Sequence, residues 1–128
     1  MREEETDKGA LQHWSPEELL SAYEKGEVAI IDVRTPAEYG FEHIDGALLA
    51  PLHNMRPESL PSPAGKPLIF HCGSGVRSRK AAEAALAAGW PVAGHLEGGF
   101  AAWKQAKLPT IAIDFATGAP KRVDPRES

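Results

Sequence analysis

The stretch Pro67-Leu-Ile-Phe-His-Cys72-Gly-Ser-Gly-Val-Arg77-Ser78 constrains this chain more than any other. It opens with the apolar run Leu68 to Phe70, which reads as a strand buried on both faces. It leads into an alanine-rich helix, Ala81 to Ala88. Between the two lies a turn with Gly73, Gly75 and the only cysteine of the chain.

Two glycines permit positive φ, so several backbone N–H groups of such a turn can converge on one centre. The helix that follows adds its unpaired first-turn donors and the positive end of its dipole. That cradle suits an anion, and a thiolate at its rim is one. Cysteines in such settings have pKa values lowered to about 3.5–7.5. A lone cysteine after an apolar run is by default a structural core residue. Here the Gly-x-Gly, Arg77 and the helix start favour a reactive thiolate instead.

The loop resembles that of the rhodanese-domain sulfurtransferases, which carry a sulfane sulfur as a cysteine persulfide. Two further segments support the resemblance. Asp32-Val-Arg-Thr-Pro-Ala-Glu-Tyr39 with His43-Ile-Asp-Gly-Ala47 is similar to the upstream signature of that family, and Leu96-Glu-Gly-Gly-Phe-Ala-Ala-Trp103 to the downstream one. The likeness runs from Leu11 to Pro109. It implies an α/β fold with a five-stranded, largely parallel sheet flanked by helices on both faces. It also implies Cys72 as the catalytic nucleophile, with Gly73, Ser74, Gly75, Val76, Arg77 and Ser78 as the substrate-binding loop.

Composition narrows the setting. At 128 residues the chain is expected to form one domain. A single cysteine forms no internal disulfide, which fits a reducing compartment. The net charge of −4 offers no footprint for nucleic acid or an acidic membrane. The first residues lack the apolar centre of a secretory signal, and no apolar run is long enough to cross a bilayer. A cytoplasmic location is the expectation.

Along the chain, residues 1–10 read as a flexible, solvated start, and Leu11 to Trp14 as a short edge strand. Ser15-Pro-Glu-Glu18 announces a helix with a capping box, ending at Gly26. Val28 to Val33 is a second core strand, Pro36 to Phe41 a helical turn, and His43 to Leu52 a turn and a short strand. His53 to Lys66, with Pro57, Pro61 and Pro63, reads as a surface connection with one helical turn. Val92 to Leu96 is the last strand and Phe100 to Lys107 the last helix. Strands alternating with helices imply an α/β layered fold. Residues 110–128 form an extension whose apolar patch, Ile111 to Ile113 and Phe115, packs as a tail or meets another chain.

The chemistry the loop suggests is double displacement. The Cys72 thiolate attacks a small anionic sulfur donor such as thiosulfate, sulfite leaves, and a persulfide remains. A thiol or other thiophilic acceptor then removes the outer sulfur; a protein sulfur acceptor is a further option. The loop amides would stabilise the charge as an oxyanion hole does. The scheme requires no metal or organic cofactor, and the histidine and cysteine spacing contains no H-x-x-x-H or C-x-x-C pair.

Arg77 either meets the incoming anion with its fork or braces the loop against a carboxylate. Ser74 and Ser78 are candidate hydroxyl donors to the persulfide, with a helix cap the favoured role for Ser78. Arg79 and Lys80 either raise the potential at the mouth or form a solvated face. His71, His43, Asp32 and Glu97 read as structural, and Arg34 with Glu38 as a local brace. Three rivals remain. A cysteine phosphatase or arsenate reductase needs a longer C-x5-R loop, whereas Arg77 gives C-x4-R. A binding module of this fold normally lacks the cysteine. A persulfide carrier for a partner stays open, because Gly73 stands where many thiosulfate-using members have a basic residue.

Overall fold

A computed structural model describes residues 1–61 and 65–127. Pro63, part of the expected surface connection, lies outside the described residues. Nine strands and four α-helices appear among them: β1 (Arg2–Thr6), β2 (Gly9–Trp14), α1 (Pro16–Glu24), β3 (Ala29–Asp32), α2 (Pro36–Phe41), β4 (Glu42–Ile44), β5 (Leu48–Leu49), β6 (Leu68–His71), α3 (Val76–Ala87), β7 (Val92–Leu96), α4 (Gly99–Gln105), β8 (Thr110–Ile113) and β9 (Pro120–Val123). Two 3₁₀ turns, Leu52–Asn54 and Pro57–Ser59, stand where one helical turn is expected.

The main sheet has the order β1-β2-β7-β6-β3-β5. The five strands from β2 to β5 are mutually parallel, and β1 joins β2 antiparallel. The expected five-stranded parallel sheet is therefore present with a sixth strand on its edge.

That sixth strand corrects the expectation for residues 1–10. Arg2-Glu-Glu-Glu-Thr6 pairs along β2 in the register Arg2↔His13 to Thr6↔Gly9. Glutamate is poorly suited to strands, but an edge strand needs only backbone pairing on one side, and its charges discourage further pairing. As a result β2 lies inside the sheet and is not its edge. The C-terminal extension packs as a tail, one of its two expected arrangements. β8 pairs β4 and β9 pairs β8, giving a three-stranded antiparallel sheet that carries residues 110–123 back onto the domain.

Alternation divides the core. Leu11, Ile31, Leu68, Phe70 and Ala93 face one side of the sheet, where Ala81, Ala82, Ala85 and Leu86 of α3 pack. Ile30, Ile69 and Leu96 face the other, against Leu19 and Leu20 of α1 and Trp103 of α4. Apolar residues on both faces are the mark of a covered parallel sheet. The small side chains of α3 bring that helix close to the strands. Among the described residues no helix is long and apolar enough to cross a membrane.

The carboxyl ends of β3 and β6 lie level, with Asp32 opposite His71. In open α/β sheets this is the edge where ligands bind. Asp32 is fully buried there and receives Arg34 through its backbone N–H (2.9 Å), Nε (3.0 Å) and Nη2 (2.8 Å). Arg34 extends the brace to the Glu42 carbonyl at 2.7 Å and lies over the Phe100 ring at 4.5 Å. Arg34 thus pairs with Asp32 rather than with Glu38 as expected, because residues 32 to 34 leave the strand in a tight turn that closes the i,i+2 distance. Burial opposes ionisation of Asp32, but His71, whose Nε2 lies 3.3 Å away, and the hydrogen bonds from Arg34 prevail and hold its pKa well below the usual carboxylate range. Removing one partner of a buried pair leaves a bare charge, so Asp32→Ala is expected to lose about 3–5 kcal/mol of stability. Urea unfolding reads this, and a loss under about 1 kcal/mol would show the pair to be dispensable.

Candidate active site

Cys72 follows β6 directly and is fully buried. Its Sγ accepts hydrogen bonds from the Gly75 amide at 3.1 Å and the Ser78 amide at 3.2 Å. These donors exist because α3 begins at Val76, five residues before the expected start at Ala81. Gly75, with φ 106°, is its N-cap. Only a residue tolerant of positive φ can turn the chain from strand into helix there while aiming its amide back at the sulfur. Ser78 is consequently not the cap. It stands in the first helical turn, where its N–H has no intrahelical partner and is free for the sulfur. The hydroxyl of Ser78 donates to the Gly75 carbonyl at 3.2 Å or to His95 Nδ1 at 3.1 Å.

The electrostatics oppose each other. Burial pushes the Cys72 thiol up; the Ser78 side chain and the amides of Ser78, Gly75 and Ser74 pull it down. The donors win, and the thiol lies below its ordinary range.

The amides can face inward because the loop carbonyls are occupied elsewhere. The Cys72 carbonyl accepts from Phe100 N–H at 2.7 Å and the Gly73 carbonyl from Ala101 N–H at 3.0 Å. Both donors belong to the first turn of α4. Gly98, the N-cap of α4, and Gly99, its first residue, deliver that turn. A Cβ on Gly99 would stand 2.6 Å from the Cys72 carbonyl oxygen, and its φ is +62°.

Of the other loop residues, Val76 projects into solvent and is 62% exposed, while Gly73 and Ser74 form the rim. Arg77 places its fork on Glu38, Nη1 to Oε1 at 2.8 Å and Nη2 to Oε2 at 3.0 Å. Glu38 also accepts from the Thr35 amide at 3.1 Å, completing the capping box of α2. The Arg77 bonds are the main cause of its pKa falling from 4.5 to about 2. Arg79 turns to Glu4 of β1 at 3.1 Å. His71 is buried beside Asp32, with Nε2 3.3 Å from Oδ2, and His43 stacks on Tyr39.

Sequence reasoning missed three contributors: Glu38 as the partner of Arg77, the α4 amides, and the buried pair His13 and His95. Spacing could not have exposed the first or third, since Glu38 and Arg77 are 39 residues apart and His13 and His95 are 82. Gly98-Gly99 beside an anchoring Phe100 was a legible signal for the second.

A model of the rhodanese-like domain matches residues 15–106. The chain belongs to the rhodanese-like domain family. An uncharacterized Synechocystis protein, slr1261, is 40% identical over 97 residues, which cover 76% of this chain and 54% of that protein. A probable adenylyltransferase/sulfurtransferase MoeZ of Mycobacterium tuberculosis is 37% identical over 77% of this chain and 26% of its own length. The chain thus spans about half of the first relative and a quarter of the second. The thiosulfate sulfurtransferase GlpE of Shewanella oneidensis is 31% identical over 76% of this chain and 96% of its own. Among solved structures, the rhodanese-like domain of Alr3790 from Anabaena superposes with a TM-score of 0.69 at 25% identity, covering 88% of this chain and 86% of that one.

Gly99→Ala tests the pinning of the loop. It is expected to cost at least about 1–3 kcal/mol through strain alone, with the clash added. Denaturant unfolding measures the loss; a neutral substitution would mean that α4 does not fix the loop.

Proposed function

We propose that this domain is a sulfurtransferase that carries a sulfane sulfur on Cys72. The observation that supports it is the convergence of two amides on the sulfur of a cysteine whose own carbonyl is pinned outward. In this reading the thiolate attacks the outer sulfur of a donor with a weak sulfur–sulfur bond. That bond breaks and its electron pair leaves with sulfite when the donor is thiosulfate. An acceptor thiolate then attacks the persulfide, takes the outer sulfur and returns Cys72 as thiolate. The loop amides meet the charge at both stages. The likeness to GlpE supports thiosulfate as donor, and the likeness to MoeZ supports a protein acceptor. No step calls for a metal or organic cofactor.

Because Cys72 is fully buried, a donor reaches the sulfur only as the rim gives way. Arg77 and Glu38 are the exposed ion pair at that rim, with side chains 37% and 38% exposed. Arg77 lies against Gly73, where an added Cβ would be 3.3 Å from its Nη2. We place Arg77 as the anion receptor: a sulfonate takes over the fork that Glu38 occupies in the resting state. This exchange also offsets the absence of a basic residue at Gly73.

Two measurements test the reading. Intact mass spectrometry after incubation with thiosulfate should show a gain of one sulfur atom, reversed by a thiol and absent in Cys72→Ser. An unchanged mass with both thiosulfate and a persulfide donor would defeat it. Arg77→Ala should raise the KM for thiosulfate by about tenfold or more, the loss of roughly one charge-assisted bond, and affect an uncharged persulfide donor less. Equal losses with both donors would leave Arg77 as a brace only.

A further inference from the structure

Single apolar side chains scattered over a surface need no explanation, but contiguous ones mark a contact site. Phe41 is 59% exposed and Phe115 81% exposed, and their rings stand 6.1 Å apart, tilted by 52°. The fold builds this meeting. Phe41 ends α2 and precedes β4, whose Glu42 pairs with Ala112 of β8. Phe115 stands in the turn between β8 and β9. Asp114 ties that turn: its amide donates to the Ala119 carbonyl at 2.8 Å, and its carboxylate accepts from the Ala116 amide at 2.9 Å. Thr110 is buried and Ile111 to Ile113 are half-buried, whereas an ordered turn presents Phe115 outward.

The patch adjoins the rim of the cysteine site. Glu38 and Phe41 stand at i and i+3 on α2 and share a face, with Cβ atoms about 5–6 Å apart. Glu38 holds Arg77, and Arg77 lies against Gly73, next to Cys72. The exposed Val76 precedes Arg77. Exposed apolar side chains thus adjoin both members of the rim ion pair.

Size and charge decide what the patch holds. A phenylalanine offers about 150–250 Å² to bury, so the exposed share of these two is on the order of 200–350 Å². Stable partners bury about 800 Å² on each side, so a second copy held only here would not stay bound. A partner that visits, takes a sulfur and leaves needs no larger contact. The fork of Arg77 recognises an anionic donor. A thiol acceptor offers no such charge, and its recognition falls to apolar contact.

We propose that Phe41 and Phe115 form the docking surface for a protein sulfur acceptor, which lays an extended segment with apolar side chains across them and brings its thiol to Cys72. This rests on Cys72 carrying the sulfur. One helical turn, one ion pair and one residue separate the rings from the sulfur, on the order of 15 Å, which about four or five residues of extended chain span. In the transfer the acceptor sulfur bonds the outer sulfur of the persulfide. The old sulfur–sulfur bond breaks with its electron pair on Cys72. The acceptor's thiol proton moves to the outer sulfur, so the acceptor leaves as a persulfide and Cys72 returns as thiolate.

Synthetic peptides test this in the full chain. Each carries one cysteine and, about five residues away, either a pair of leucines or a pair of serines. Wild type is loaded with thiosulfate, and the sulfur gained by each peptide is followed by mass spectrometry. The leucine peptide is expected to show a kcat/KM about tenfold above the serine peptide, which burial of about 55 Å² of apolar surface supplies. Phe41→Ser and Phe115→Ser should each lower that ratio, and the double substitution should bring it to one, with Tm near wild type. Equal use of the peptides by wild type, or an unchanged ratio in the double variant, would overturn the docking surface. If Phe41→Ser fails to fold, Phe115→Ser on its exposed turn decides. Sedimentation separates the other occupant: a wild-type dimer that the double variant dissolves would make the patch a self-contact and overturn the proposal. Anisotropy of the fluorescein-labelled leucine peptide on Cys72→Ser, with and without the two phenylalanines, reads docking alone. Tighter binding with the phenylalanines, in a chain that gains no sulfur, would keep the docking surface and sink the sulfurtransferase reading. Sulfur loading with equal binding would do the reverse.

Discussion

Two carbonyls at the head of the loop, those of Cys72 and Gly73, accept from the amides of Phe100 and Ala101, and the remaining geometry depends on that pairing. A short loop cannot turn its carbonyls and its amides toward the same point. Once α4 has taken the carbonyls, the amides of Gly75 and Ser78 are left to face the sulfur. The close approach requires Gly99, where a Cβ would collide with the loop backbone. The site is therefore made by two segments, one on each side of β7, and neither would form it alone.

Around this centre the fold spends charge in two ways. Asp32 and Arg34 are buried and mutually satisfied, which fixes the strand end beneath the site. Arg77 and Glu38 are half-exposed, so their pair is worth little to stability and is free to exchange partners. Since Glu38 is held down at about 2, the rim pair contributes above the ordinary glutamate range and is lost as pH falls through that lower value. Across the neutral range it stays formed, and an arriving anion competes with a carboxylate that is always ionised.

Much of this was legible in the residues. The apolar run at Leu68 to Phe70, the alanines of α3 and the capping box at Ser15 placed strand, helix and first turn, because each depends on neighbours in sequence. The cysteine loop stood out for the same reason. What was not legible depended on partners far away. The acidic run of residues 2 to 6 forms β1 only because β2 offers an edge, and residues 110 to 123 form strands only because β4 does. The start of α3 was misplaced because Val76 to Ser78 look like loop, while Gly75 supplies the turn that lets them be helix. The bond of Glu38 to Arg77 was hidden by a nearer candidate, Arg34, whose partner is set by the turn at Val33.

All of this stands on the claim that hydrogen bonding outweighs burial at one sulfur. The direct measurement is the ultraviolet absorbance of the thiolate across a pH titration, taken as the difference between wild type and Cys72→Ser. The thiolate is the nucleophile, so its fraction must rise with pH through the folded-state pKa. A midpoint below the ordinary thiol value of about 8.5 is the expected result. A midpoint at or above that value would mean that burial wins and that the cradle does not hold an anion.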